Sequence, residues 1–277
     1  MKILMTPADL TADTGATILD ATYYALEPGR DARADFESGH VPGALFLDLG
    51  ELHDHASALP SMAPPAQQFQ ARLRALGIDS DDRVVLYDQA PHKTAARAWW
   101  LFRLFGFEHV SLLDGGLARW KAEGRPLETG PAGEPGGGHA TAWHNPALVR
   151  GLEEMEALVA IGAAQIVDAR SAARFSGEEG DPRPGVARGH MPGAYNLPYG
   201  KLFDAEGNWR SADEILAAFR AVGVDPDAPI VTTCGSGITA SILLFGLALA
   251  GKSEWALYDG SWSEWGALPQ TPKESVT

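Results

Sequence analysis

The stretch TTCGSGITA at residues 232–240 holds the only cysteine of the 277-residue chain, Cys234. A cysteine attacks as its thiolate, and the residues that follow favour that form. Gly235 and Gly237 let successive amide N–H groups curl inward into an anion-binding nest. A helical pattern starting near Thr239 adds the positive end of a helix dipole. These residue types suit a sulfur nucleophile better than the small buried hydrophobe that a free cysteine usually is. Two other readings compete for the same stretch. GSGITA after a strand is a weak dinucleotide fingerprint, with Glu254 or Asp259 as the ribose acid, and it falls in the last strands of its half. A Cys-x5-Arg phosphatase loop would need an arginine where Ala240 stands.

The elements around Cys234 say where it must sit. In the second half, QIVDA, PIVTT and WALYD have the length and β-branched content of strands. GLEEMEALVAIG, SADEILAAFRAVG and the segment after Thr239 have helical patterning. Strand and helix in alternation give a parallel α/β sheet covered on both faces. Ligands of such sheets bind beyond the carboxyl ends of the strands, and Cys234 ends the strand PIVTT.

The chain is also written twice. DFESGHVPGALFLDL at residues 35–49 returns as GVARGHMPGAYNLPY at 185–199. ALGIDSDDRVVLYD, ending at Asp88, returns as AVGVDPDAPIVTTC, ending at Cys234. LLDGGLARW, ending at Trp120, returns as LYDGSWSEW, ending at Trp265. Three blocks in one order mark a duplicated domain. The predicted division is a first domain over 1–128, a Gly/Pro-rich linker over 129–145, and a second, cysteine-bearing domain over 146–277.

With these blocks in view, CGSGIT, the two Gly-His-x-Pro-Gly-Ala motifs, DPRPGVARGHMPGAYNLP and LYDGSWSEWG together resemble the tandem-domain sulfurtransferases of the rhodanese superfamily, over about residues 18–266. The resemblance implies two rhodanese-like domains, each a parallel sheet flanked by helices. It also implies that Cys234 carries sulfur as a persulfide while the first domain has lost its cysteine. Asp88 stands at that lost position, and a carboxylate there can carry no sulfur.

Within this superfamily, thiosulfate-preferring members tend to carry cations after the cysteine, whereas mercaptopyruvate-preferring members carry Cys-Gly-Ser/Thr-Gly. Cys234-Gly235-Ser236-Gly237 is of the second kind, with Ser236 as the proton-handling hydroxyl. The resemblance further implies that Arg170 and Arg174 bind the donor's carboxylate and carbonyl, a task suited to bidentate guanidinium groups. Arg183 and Arg188 are weaker candidates for the same cleft. The amides of Gly235, Gly237, Ile238 and Thr239 are expected to hold the persulfide. A thiol such as reduced thioredoxin, or cyanide in an assay, would take the outer sulfur.

In many members the first domain also supplies a histidine and an acid beside the loop serine. Here those positions carry Ser61 and Gly50, and His53 and His55 lie nearby at the wrong spacing, so no triad is assigned. Residues that recur in both copies are expected to build the fold: His40 with His190, Asp20 with Asp168, Asp114 with Asp259, Trp120 with Trp265. Trp262 differs, since its counterpart is Leu117.

Composition excludes several classes. A formal charge of −14 without basic runs disfavours a nucleic-acid partner. The longest apolar run, ILLFGLALA, falls short of the roughly 20 residues that span a bilayer. One cysteine cannot form an internal disulfide, and with no signal-like N-terminus the chain is expected to be cytoplasmic. The scattered histidines offer no metal-ligand spacing, and no cofactor is expected.

Overall fold

Short β-branched runs alternating with helices produce two parallel sheets, as the patterning requires. In the computed structural model, which describes residues 2–13, 15–25, 27, 29–133 and 135–275, the first half contains β1 (Leu4–Met5), β2 (Thr17–Asp20), β3 (Leu45–Phe46), β4 (Val84–Tyr87) and β5 (Val110–Leu113). They lie in the order β1-β5-β4-β2-β3. The second half contains β6 (Val149–Arg150), β7 (Gln165–Asp168), β8 (Tyr195–Asn196), β9 (Ile230–Thr233) and β10 (Trp255–Tyr258). Their order, β6-β10-β9-β7-β8, repeats the first. Every one of these neighbours pairs in parallel. The registers repeat too: Asp20 faces Tyr87 as Asp168 faces Thr233.

The central strands β4 and β9 are buried throughout, which is why they read as continuous apolar runs rather than as alternation. The helix that follows β9, Ala240–Leu249, is buried from Ala240 to Leu247 and forms the wall against which the cysteine loop ends. The helix Ala212–Ala221 begins in a capping box between Ser211 and Glu214. The edge strands β6 and β8, two residues each, are too short to leave a period in the sequence.

Two compact units result, one of residues 1–54, 63–145 and 205–209, the other of 55–62, 146–204 and 210–277. Residues 138–145 of the Gly/Pro-rich stretch run along the first unit, through Gly138 N–H to Arg74 O at 2.9 Å, Ala140 N–H to Ile78 O at 3.0 Å and Asn145 N–H to Leu104 O at 2.8 Å.

Each Gly-His-x-Pro-Gly-Ala motif fastens its own unit. His40 stacks on Phe36 at 3.9 Å and sets Nδ1 against Phe36 O at 2.9 Å. His190 stacks on Phe175 at 3.8 Å with Nδ1 on Phe175 O at 2.8 Å. Their backbones bridge antiparallel to Glu128 and Glu274. A Cβ on Gly189 would lie 2.0 Å from Glu274 O at φ +101°, so the position admits only glycine.

Candidate active site

The chain leaves β9 at Thr233, turns through residues 234–239 and enters the helix Ala240–Leu249. Cys234 sits at that turn, 2 % exposed. Three hydrogen bonds from one short segment fix its backbone. Cys234 N–H donates to Ser261 Oγ at 3.2 Å. Cys234 O accepts from Trp262 N–H at 3.0 Å, and Gly235 O accepts from Ser263 N–H at 2.9 Å. Gly237 takes φ +80°, a left-handed turn that suits glycine. Among the described residues, the amides of Gly235, Ser236, Ile238 and Thr239 donate to no acceptor within the chain. These amides stand on the same turn as Cys234. Ser236 is half-buried on the same turn, and its hydroxyl makes no hydrogen bond among the described residues.

Two guanidinium groups meet this loop. Arg183 Nη1 donates to Gly235 O at 2.9 Å. A Cβ on Gly235 would lie 2.9 Å from Arg183 Nη2 and 3.3 Å from Arg174 Nη2, so glycine is what lets both groups approach. Asp181, its side chain fully buried, gathers the pair: Arg174 Nη2 donates to Oδ2 at 2.5 Å, while Arg183 Nε and Nη2 donate to Oδ1 and Oδ2 at 2.7 and 2.9 Å. Burial alone would raise the Asp181 carboxyl, but the bonds and charges of Arg183 and Arg174 outweigh it and hold it below the usual carboxylate range. Two cations and one anion leave the loop locally positive in an acidic chain. Arg174 Nε is buried and has no hydrogen-bond partner among the described residues. An unpaired charged donor inside a protein is costly.

Arg170 does not join them, which corrects the expectation that it binds the donor. Its side chain is 2 % exposed, forks onto Asp168 with Nε and Nη2, donates from Nη2 to Gly189 O at 2.8 Å, and lies 4.6 Å over the Trp262 ring. The guanidinium is spent on the fold. Arg183, the weaker candidate, takes the place beside Arg174. Both belong to Asp-x-Arg turns in which the aspartate accepts the arginine's own N–H, Asp168 from Arg170 at 2.9 Å and Asp181 from Arg183 at 3.0 Å. That repeated triplet is the signal that could have drawn equal notice to Arg183. Arg188 donates to Gly177 O and Glu178 O instead.

In the first unit the corresponding turn is closed. Asp88 Oδ2 accepts Ala95 N–H at 2.7 Å, so the carboxylate caps the start of the helix Ala95–Leu104. Burial raises its carboxyl to about 6, against the lowering effects of Lys93 and that hydrogen bond. Asp35, before Phe36 as Arg174 is before Phe175, holds Tyr24 Oη and Arg30 at 2.6 Å each. The position that is cationic in one copy is anionic in the other. Gly50 donates its N–H to Asp48 Oδ1 at 3.1 Å, His53 sets Nδ1 on Gly50 O at 2.8 Å, and Ser61 takes φ +60°. Among the described residues no group of three or more His, Cys, Asp or Glu side chains is placed to hold a metal ion. No helix among them is long and apolar enough to cross a membrane.

Known proteins resemble this chain along most of its length. The model of the rhodanese-like domain matches twice, over residues 8–123 and 151–268. The 3-mercaptopyruvate sulfurtransferase of Escherichia coli (strain K12) is 42 % identical over 267 residues, covering 95 % of this chain and 94 % of that one. The 3-mercaptopyruvate sulfurtransferase of Homo sapiens is 40 % identical over 250 residues, covering 90 % and 84 %. The crystal structure of SseA from Escherichia coli superposes with a TM-score of 0.85 at 38 % identity, covering 95 % of this chain and all of that one.

Proposed function

The chain belongs to the rhodanese-like family, whose domain it carries twice, and we propose that it takes sulfur from 3-mercaptopyruvate, holds it on Cys234 as a persulfide and passes it to a thiol or to cyanide. It is a sulfurtransferase. The observation that carries the choice of donor is the pair Arg174 and Arg183, gathered by Asp181 on the face of Gly235 with Arg174 Nε unpartnered among the described residues. Two planar cations suit the adjacent carboxylate and ketone of an α-keto acid.

In the first step the Cys234 thiolate attacks the donor sulfur. The new S–S bond forms as the C–S bond breaks, and the released electron pair passes into the ketone to give the enolate of pyruvate. Arg174 and Arg183 stabilise that developing charge. Ser236 relays the proton of the donor thiol toward the departing enolate. The persulfide then rests against the amides of Gly235, Ser236, Ile238 and Thr239. In the second step an acceptor thiolate attacks the outer sulfur and Cys234 leaves as a thiolate. A reduced dithiol such as thioredoxin fits this role in the cytoplasm, where a lone cysteine stays reduced.

Pyruvate and thiocyanate formation, with 3-mercaptopyruvate and thiosulfate compared in one series, tests the donor. A higher kcat/KM for 3-mercaptopyruvate is expected. A preference for thiosulfate would overturn that choice and tie it to the missing histidine and acid at Ser61 and Gly50.

A further inference from the structure

The two copies of the domain separate residues that build the fold from residues found only beside the cysteine. Asp168, His190, Asp259 and Trp265 all recur in the first copy, as Asp20, His40, Asp114 and Trp120. Arg170, Ser261 and Trp262 do not: their counterparts are Thr22, Gly116 and Leu117. In the first unit Leu117 N–H donates to Asp88 O at 3.0 Å, and Thr22 Oγ1 accepts Gln89 N–H at 3.1 Å. In the second, the three bonds of the Ser261–Ser263 segment hold Cys234 and Gly235.

Ser261 is the telling residue. It stands at φ +50°, where the first copy has Gly116 at φ +56°. Glycine would take this left-handed conformation without strain, and serine does not. The hydroxyl offsets that strain by donating to Tyr258 O at 2.8 Å and accepting Cys234 N–H at 3.2 Å, fully buried. Trp262 continues the arrangement: its backbone N–H holds Cys234 O, its indole N–H donates to Ala187 O at 2.9 Å, and its ring lies under the Arg170 guanidinium, itself locked on Asp168.

We propose that Ser261, Trp262 and Arg170 form a brace that positions the Cys234 sulfur within its amide nest. They are positioning residues, acting through the backbone of the loop. The inference rests on the reading of Cys234 as the sulfur carrier and adds the machinery that aims it.

Because the chain has one cysteine, its alkylation by iodoacetamide reports on Cys234 alone. The rate is measured against pH in the wild type, Ser261→Gly, Arg170→Lys and Arg174→Lys, together with kcat and KM for 3-mercaptopyruvate. Ser261→Gly relieves the left-handed strain, so its thermal midpoint stays level or rises. Its alkylation profile departs from the wild type's in rate by about threefold or more, since a sulfur displaced within the loop meets the reagent differently. Its kcat falls about tenfold while KM stays within about twofold. Arg170→Lys shows the same changes in profile and kcat with a lower thermal midpoint, because lysine cannot fork onto Asp168, and Arg174→Lys raises KM with the profile unmoved. Profiles of Ser261→Gly and Arg170→Lys that overlay the wild type would overturn the brace. So would an Arg170→Lys enzyme that loses donor affinity alone. Alkylation needs no turnover, so a chain that transfers no sulfur would overturn the proposed function and leave the brace to be judged on the profile.

Discussion

Arg183 and Arg170 are chemically alike, and the structure assigns them opposite consequences when each is replaced by alanine. Arg183 touches the cysteine loop through Gly235 O and shares Asp181 with Arg174. A charge-assisted hydrogen bond to a donor carboxylate is worth about 1.5–3 kcal/mol. At about 1.4 kcal/mol per tenfold, Arg183→Ala should lower kcat/KM for 3-mercaptopyruvate roughly 10- to 150-fold. Its stability changes little, because the side chain is 26 % exposed and Arg174 still pairs with Asp181. Arg170→Ala leaves the Asp168 carboxylate, 3 % exposed, without its cation. Breaking one side of a buried ion pair costs about 3–5 kcal/mol. The thermal midpoint should therefore drop by about 10 °C for a domain of this size. Steady-state kinetics and thermal denaturation on both variants decide the matter. The reasoning is refuted if Arg183→Ala keeps wild-type kcat/KM, or if Arg170→Ala melts with the wild type and loses only donor affinity.

Asp88→Asn tests the closed turn of the first unit. Its carboxyl, raised by burial to about 6, destabilises the fold where it ionises, so wild-type stability falls as pH climbs from the unfolded value near 4 through 6. Asparagine still accepts Ala95 N–H, so the variant should match the wild type at pH 4 and exceed it by about 2–3 kcal/mol at pH 8; a gap independent of pH, by urea denaturation, would contradict this. Ser236→Ala should lower kcat with 3-mercaptopyruvate about a hundredfold, and far less with thiosulfate, which carries no thiol proton. Equal losses with both donors would remove the proton role. Gly189→Ala, whose Cβ meets Glu274 O at 2.0 Å, should unfold several degrees lower, and an unchanged midpoint would show that the backbone yields there.

Much of the fold was legible because β4, β9 and the helix Ala240–Leu249 are buried along their length, and burial writes long apolar runs. The duplication was legible because three motif blocks recur in one order, and it marked His40 and His190 as fastenings in advance. The two-residue strands β6 and β8 left no period to read. In the candidate site, local chemistry singled out Cys234 and its glycines. Arg170 and Arg183 did not, since both sit in the same Asp-x-Arg turn. What separates them is which guanidinium is buried over Trp262 and which reaches Gly235, a matter of long-range packing. Ser261 was silent for the same reason: its left-handed φ is invisible until the chain is folded.

The central claim is that Cys234 carries the sulfur, and intact-mass measurement after brief incubation with 3-mercaptopyruvate tests it most directly. The account predicts a gain of one sulfur atom on the wild type, lost on adding cyanide with release of thiocyanate, and no gain on Cys234→Ser. A wild type that releases pyruvate with unchanged mass under single turnover, or a Cys234→Ser protein that still transfers sulfur, would contradict it.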